Sequence, residues 1–76
     1  MKEFLEVIVK NILGSNDFQI EVTDKNTEVK YTVKTKGENL GKLIGRAGKT
    51  AKSIRTVVRS LNEENKKVYI EFVEDK

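Results

Sequence analysis

Apolar residues follow two different periods along this chain. Between Glu3 and Leu13 they step by three and four. Phe4, Ile8 and Ile12 form one line and Leu5, Val9 and Leu13 lie beside it, while Lys2, Glu3, Glu6, Lys10 and Asn11 fill the opposite side. This is the stripe of an amphipathic helix. Gly14 is a natural stop, and Ser15-Asn16-Asp17 extends the break. The period then changes to two. Phe18, Ile20 and Val22 alternate with Gln19 and Glu21, and Val29, Tyr31 and Val33 alternate with Glu28, Lys30, Thr32 and Lys34. Two alternating runs joined by the polar stretch Thr23 to Thr27 predict a hairpin with one buried face. Tyr31 shares its phase with Val29 and Val33, which assigns it to the core rather than to a stacking surface.

Helical spacing returns after Thr35-Lys36-Gly37. Leu40, Leu43 and Ile44 share one face of a short helix from Glu38 to Ile44. Gly45 interrupts the periodicity and Gly48 closes a loop. A second helix is predicted from about Lys49 to Leu61, with Ala47, Ala51, Ile54, Val58 and Leu61 as its buried stripe. Lys49, Lys52 and Arg59 fall roughly opposite, and Arg55 at the border. The polar loop Asn62 to Lys66 leads to a last strand, Lys67 to Val73, with Val68, Ile70 and Phe72 on one side. The order α-β-β-α-α-β predicts an α+β fold: a three-stranded mixed sheet with three helices packed on one face. The strands at Glu28 and Lys67, joined through two helices, are expected to run parallel with a right-handed crossover.

Composition narrows the chemistry. A chain of 76 residues fits one small domain, expected to span 1–76. It has no Cys and no His. Thiolate metal sites, disulfides and the commonest general base near neutral pH are therefore excluded, and the chain is not expected to be an enzyme. No cofactor or metal site is expected. No apolar run approaches the roughly 18 residues of a membrane span, and the charged start Met1 to Glu6 does not resemble a signal peptide. A soluble, cytoplasmic protein without a membrane partner is the expectation. Charge is unevenly spread. From Leu40 to Asn62 the chain carries Lys42, Arg46, Lys49, Lys52, Arg55 and Arg59 and no acidic residue. These are six of the 15 basic residues, so nine remain against all 12 acidic ones, a net of −3 elsewhere. One third of an otherwise acidic chain thus holds a positive field suited to a polyanion.

The centre of that field is Leu43-Ile44-Gly45-Arg46-Ala47-Gly48-Lys49. The loop leads into a helix whose first amides lack internal partners and whose dipole favours anions. Gly45 and Gly48 let a phosphate approach the backbone, and Arg46 and Lys49 add full charges. Leu40, Ile44 and Ala51 are candidates for an apolar floor beneath bases, and Gly41 leaves room for close approach to the backbone. The stretch is not a Walker loop, because its glycines are out of register with Gly48-Lys49-Thr50 and no strand directly precedes it. It also lacks the G-x-G spacing of a dinucleotide fingerprint.

At these residues the chain resembles the KH domain family in its type II, prokaryotic arrangement, strongly over Glu28 to Val73 and in topology throughout. The runs Gly41-Lys42-Leu43-Ile44-Gly45 and Ala51-Lys52-Ser53-Ile54-Arg55-Thr56-Val57-Val58 are similar to the small bacterial single-KH proteins of the KhpA family. Ala51 departs from the broader KH pattern, where a larger aliphatic residue is frequent. The resemblance implies single-stranded RNA as ligand, with about four nucleotides clamped by the loop. Gly45, Arg46, Ala47 and Gly48 would hold phosphates, Gly41 and Ile44 would line the groove, and Lys49 and Lys52 would attract the strand. The last strand and the loop Glu63 to Lys67 would form the opposite wall. It also implies a homodimer, or a heterodimer with a second KH-containing protein, and a role as RNA chaperone or post-transcriptional regulator affecting cell shape. The alternative is a protein-interaction or ribosome-associated subunit that uses the fold mainly to dimerise, through Tyr69, Val73 or Val57.

Overall fold

The computed structural model describes residues 1–62 and 66–75. Its elements are α1 (Lys2–Leu13), β1 (Phe18–Asp24), β2 (Glu28–Thr35), α2 (Gly37–Ile44), a 3-10 turn (Arg46–Gly48), α3 (Lys49–Ser60) and β3 (Lys67–Glu74). The sheet runs β1-β2-β3. β1 is antiparallel to β2, as a hairpin requires, and β2 is parallel to β3. The predicted α+β arrangement is therefore present, with three helices on one face of a mixed sheet.

β2 is the central strand, and its alternation builds the core. Val29, Tyr31 and Val33 are buried against Val68 and Ile70 of β3 and against Leu5, Val9, Leu13, Leu43, Ile54 and Val58 of the helices. The same alternation carries Thr35 inward. It is a buried polar residue, satisfied because its hydroxyl donates to the Asp17 carbonyl at 2.7 Å and its own carbonyl accepts from the Asp75 amide at 2.7 Å. The other face of the sheet is solvated. Lys34 pairs with Glu21 at 2.9 Å and Lys30 with Glu71 at 2.7 Å, both across strands. The hydrogen bond to Glu21, and then its negative charge, hold the Lys34 ammonium above its ordinary pKa.

Three apolar expectations change. In α1 the row Leu5, Val9 and Leu13 is buried, Ile8 and Ile12 are half-buried, and Phe4 is exposed. A stripe two rows wide exceeds what one flank of a three-stranded sheet can cover. Val22 is exposed although it is in phase with Phe18 and Ile20, because β1 is an edge strand with cover on one flank only. In α3 the stripe shortens to Ala51, Ile54 and Val58. Ala47 falls in the turn before the helix, and Leu61 lies just past its last residue, so both are exposed. Among the described residues no helix is long and apolar enough to cross a membrane.

Candidate nucleic-acid interface

α2 ends at a backbone that only glycine adopts readily. Gly45 stands at φ 75°, ψ 176°, and its amide closes the helix on the Gly41 carbonyl at 2.9 Å. The first turn of α3 packs directly on it. A Cβ at Gly45 would lie 2.7 Å from the Thr50 Cβ and 3.0 Å from the Thr50 amide nitrogen. The chain then turns through two left-handed residues, Ala47 at φ 55° and Gly48 at φ 75°. The Gly48 amide bonds back to the Gly45 carbonyl at 3.2 Å, and the Lys49 amide to the Arg46 carbonyl. Holding Ala47 there costs about 1–2 kcal/mol, a strain of the kind that functional loops store. No side chain caps the start of α3, whose N-cap is Gly48, so no side-chain oxygen competes there with a ligand.

The expected site residues occupy one continuous stretch: the last turn of α2, the loop, and the first turns of α3. Gly41, Ile44, Arg46, Ala47, Lys49 and Lys52 are exposed, and Gly45 and Gly48 are half-buried. Nothing approaches within 4 Å of where a Gly41 side chain would begin. The space above it is open rather than filled by the protein's own packing. Ile44 is exposed and Leu40 half-buried, whereas Ala51 is 4% exposed. The apolar surface left to a ligand therefore comes from Ile44 and part of Leu40, and Ala51 belongs to the core.

Electrostatics separates this surface from the rest. Lys2, Lys25, Lys30, Lys34 and Lys66 all lie within ion-pair distance of carboxylates. Among the described residues Lys10, Lys36 and Lys67 have no ion pair, and neither do Lys42, Arg46, Lys49 and Lys52, but the last four sit together in a stretch with no acidic residue. These four cations face solvent uncompensated, which is costly in mutual repulsion and productive only with an anion. A cleft of about 710 Å³ between α1 and β1 has the opposite character: Glu3, Glu6 and Glu21 line it against Lys2 and Lys10. It is poorly suited to phosphates.

Two basic residues go elsewhere than their sequence positions suggest. Arg55 and Arg59 reach across to β3, where their Nε atoms donate to the carbonyls of Ile70 at 3.2 Å and Val68 at 3.3 Å. The Arg55 guanidinium also sits 5.7 Å from the centre of the Phe72 ring. Their four-residue spacing matches the two-residue spacing of outward carbonyls on an edge strand, but only the sheet order shows that β3 is that edge. The wall expected from Glu63 to Lys67 lies, at residues 63–65, outside the described residues. Beside it, the Asn62 amide group donates to the Lys66 carbonyl at 2.9 Å.

Comparison with known proteins agrees with this geometry. The family model described as "KhpA/KhpB, KH domain" matches residues 2–72. The chain is similar to the "RNA-binding protein KhpA" of Clostridium perfringens, at 36% identity over 96% of this chain and 100% of that protein. It is 39% identical to the protein of the same name in Chlamydia trachomatis over 100% of both chains. Against that of Listeria monocytogenes the identity is 33%, over 97% of this chain and 100% of the relative. With the α-β-β-α-α-β order, the glycine loop between α2 and α3, and a family match over nearly the whole length, this chain belongs to the KhpA/KhpB KH-domain family.

Proposed function

We propose that this chain, acting as one KH domain over residues 1–76 with its core at 28–73, binds single-stranded RNA. Phosphates lie on Gly45, Arg46, Ala47 and Gly48. Bases lie over Gly41 and Ile44, and Lys49 and Lys52 attract the strand. The observation that carries this reading is the set of four unpaired cations, Lys42, Arg46, Lys49 and Lys52, around a left-handed loop with no side-chain cap. The relatives' name, RNA-binding protein, supports the polyanion being RNA. The test is the double variant Arg46→Asp with Ala47→Asp, titrated against a short fluorescent single-stranded RNA. Affinity is expected to fall at least tenfold. The thermal transition should stay in place, because Asp tolerates a left-handed position better than most residues. For wild type, contacts to three or four phosphates give a log–log salt slope of about −2 to −3. Unchanged binding by the double variant would place the RNA elsewhere.

A domain that grips about four nucleotides binds weakly alone, and pairing with a second copy or a second KH protein raises avidity. Val57 on α3 and Leu61 just past its end, both exposed, with Tyr69 exposed on β3, supply apolar surface for such pairing. Sedimentation is expected to show mass rising with concentration, and a constant monomer mass across the range would remove self-pairing from the proposal. The cellular role that fits is that of a cytoplasmic RNA chaperone or post-transcriptional regulator.

A further inference from the structure

The two edges of the sheet are finished differently. On β3, Arg55 and Arg59 donate to the outward carbonyls of Ile70 and Val68. β1 has no such cover. The Lys25 amide donates to the Glu28 carbonyl at 2.8 Å, which makes 25 and 28 a hydrogen-bonded pair. The antiparallel alternation extends that role to Thr23, Glu21 and Gln19. The N–H and C=O groups of Ile20 and Val22 therefore point away from β2, and among the described residues no hydrogen bond from outside the sheet engages them. Free edges are ordinarily blunted by lysine, proline or a bulge. β1 has no lysine and no proline, and its register with β2 is unbroken from Phe18 to Asp24.

The surface beside this edge suits one more strand. The cleft of about 710 Å³ between α1 and β1 has Val7, Phe18 and Ile20 as its apolar lining. Val7 is 56% exposed, and Val22 is 43% exposed although it is in phase with the core. Inward side chains of an added strand would cover both. On the solvated face charge alternates from strand to strand: Glu71 of β3 pairs with Lys30 of β2, and Lys34 of β2 pairs with Glu21 of β1. Lys34 engages Oε1 of Glu21, and among the described residues Oε2 has no partner. A cation on the next strand would continue this order. A second copy of β1 would bring Glu21 and Asp24 and no cation, which argues against self-pairing here. We infer that the β1 edge accepts, as an added strand, an extended segment of a different protein in which apolar residues alternate with Lys or Arg. Its apolar side chains enter the cleft and its cations stand beside Glu21. α1 packs on β1 and α3 on β3, so this edge lies opposite the helix that follows the glycine loop, and the inference does not rest on the RNA-binding reading.

The probe is a fluorescent peptide of about nine residues, alternating valine and lysine, titrated against the intact chain. Saturable binding is expected, with the amide resonances of Ile20 and Val22 moving as the site fills. The alternating valine–glutamate peptide should bind at least about tenfold more weakly. So should the valine–lysine peptide N-methylated throughout, which keeps its charges and loses every backbone donor. Val22→Pro removes an outward N–H without breaking the ladder to β2 and should weaken binding about tenfold. Val7→Lys, at an exposed position of α1, sets a cation in the cleft, should weaken binding as much, and serves if Val22→Pro does not fold. Absence of saturable binding, equal binding of either control peptide, or wild-type affinity in Val7→Lys or in folded Val22→Pro overturns the inference. Each of these outcomes leaves the loop reading standing.

Discussion

Gly45→Ala is expected to destabilise the chain by about 4 kcal/mol, from roughly 1–3 for a non-glycine residue in this backbone region and a similar amount for overpacking. The first contribution comes from φ 75°, ψ 176°, the second from Thr50, whose side chain and amide occupy the space a methyl group needs. A chain of this length has a total stability of roughly 4–11 kcal/mol, so the variant should lie near the edge of folding. Urea unfolding measures the loss. Gly48→Ala supplies the contrast: it has the same φ, but nothing lies within 4 Å of the added methyl, so only the strain of about 1–2 kcal/mol applies. In the Gly45→Ala background, Thr50→Ala should restore part of the loss by removing the hydroxyl and methyl, while the backbone strain remains. A Gly45→Ala protein within 1 kcal/mol of wild type would show that the loop relaxes around the methyl and is not locked by Thr50.

That lock was only half legible in the sequence. Two glycines three apart, breaking an apolar period inside a basic run, announce a turn and an anion site. They do not reveal that Gly45 is packed under Thr50, because that contact depends on how steeply α3 leaves the turn. The alternation at Phe18–Val22 and Glu28–Lys34 identified the hairpin and its inward face, since a period of two has one solution when one face is buried. Ala47 fitted the α3 stripe by spacing alone. Periodicity cannot tell a residue in the helix from one placed two positions before it, so its left-handed turn in the structure was invisible. Arg55 and Arg59 show a different limit. Helical spacing puts Arg59 opposite the buried stripe and Arg55 at its border, and only the order β1-β2-β3 reveals the unpaired edge whose carbonyls they cap.

Leu43 and Ile44 are neighbours for which the fold predicts opposite results. Leu43 is 0% exposed, among the buried residues contributed by all three helices and the sheet. Leu43→Ala removes three carbons from that core and leaves a cavity, at a cost of about 3 kcal/mol. The surrounding strand β2 and helix α3 are themselves rigidly packed, so little collapse can offset it. Because Leu43 lies two residues before Gly45, loosening α2 also loosens the loop, and RNA affinity should fall together with stability. Ile44 turns the other way and is 39% exposed. Ile44→Ala loses little packing and should stay within about 1 kcal/mol of wild type in urea, yet it strips the principal apolar surface beside the loop and should weaken RNA binding several-fold. Measuring both variants by unfolding and by RNA titration under the same buffer separates scaffold from contact. If Ile44→Ala binds as wild type does, the bases do not lie on this face of α2. Should Leu43→Ala instead lose binding without losing stability, its side chain acts at the surface, contrary to its burial.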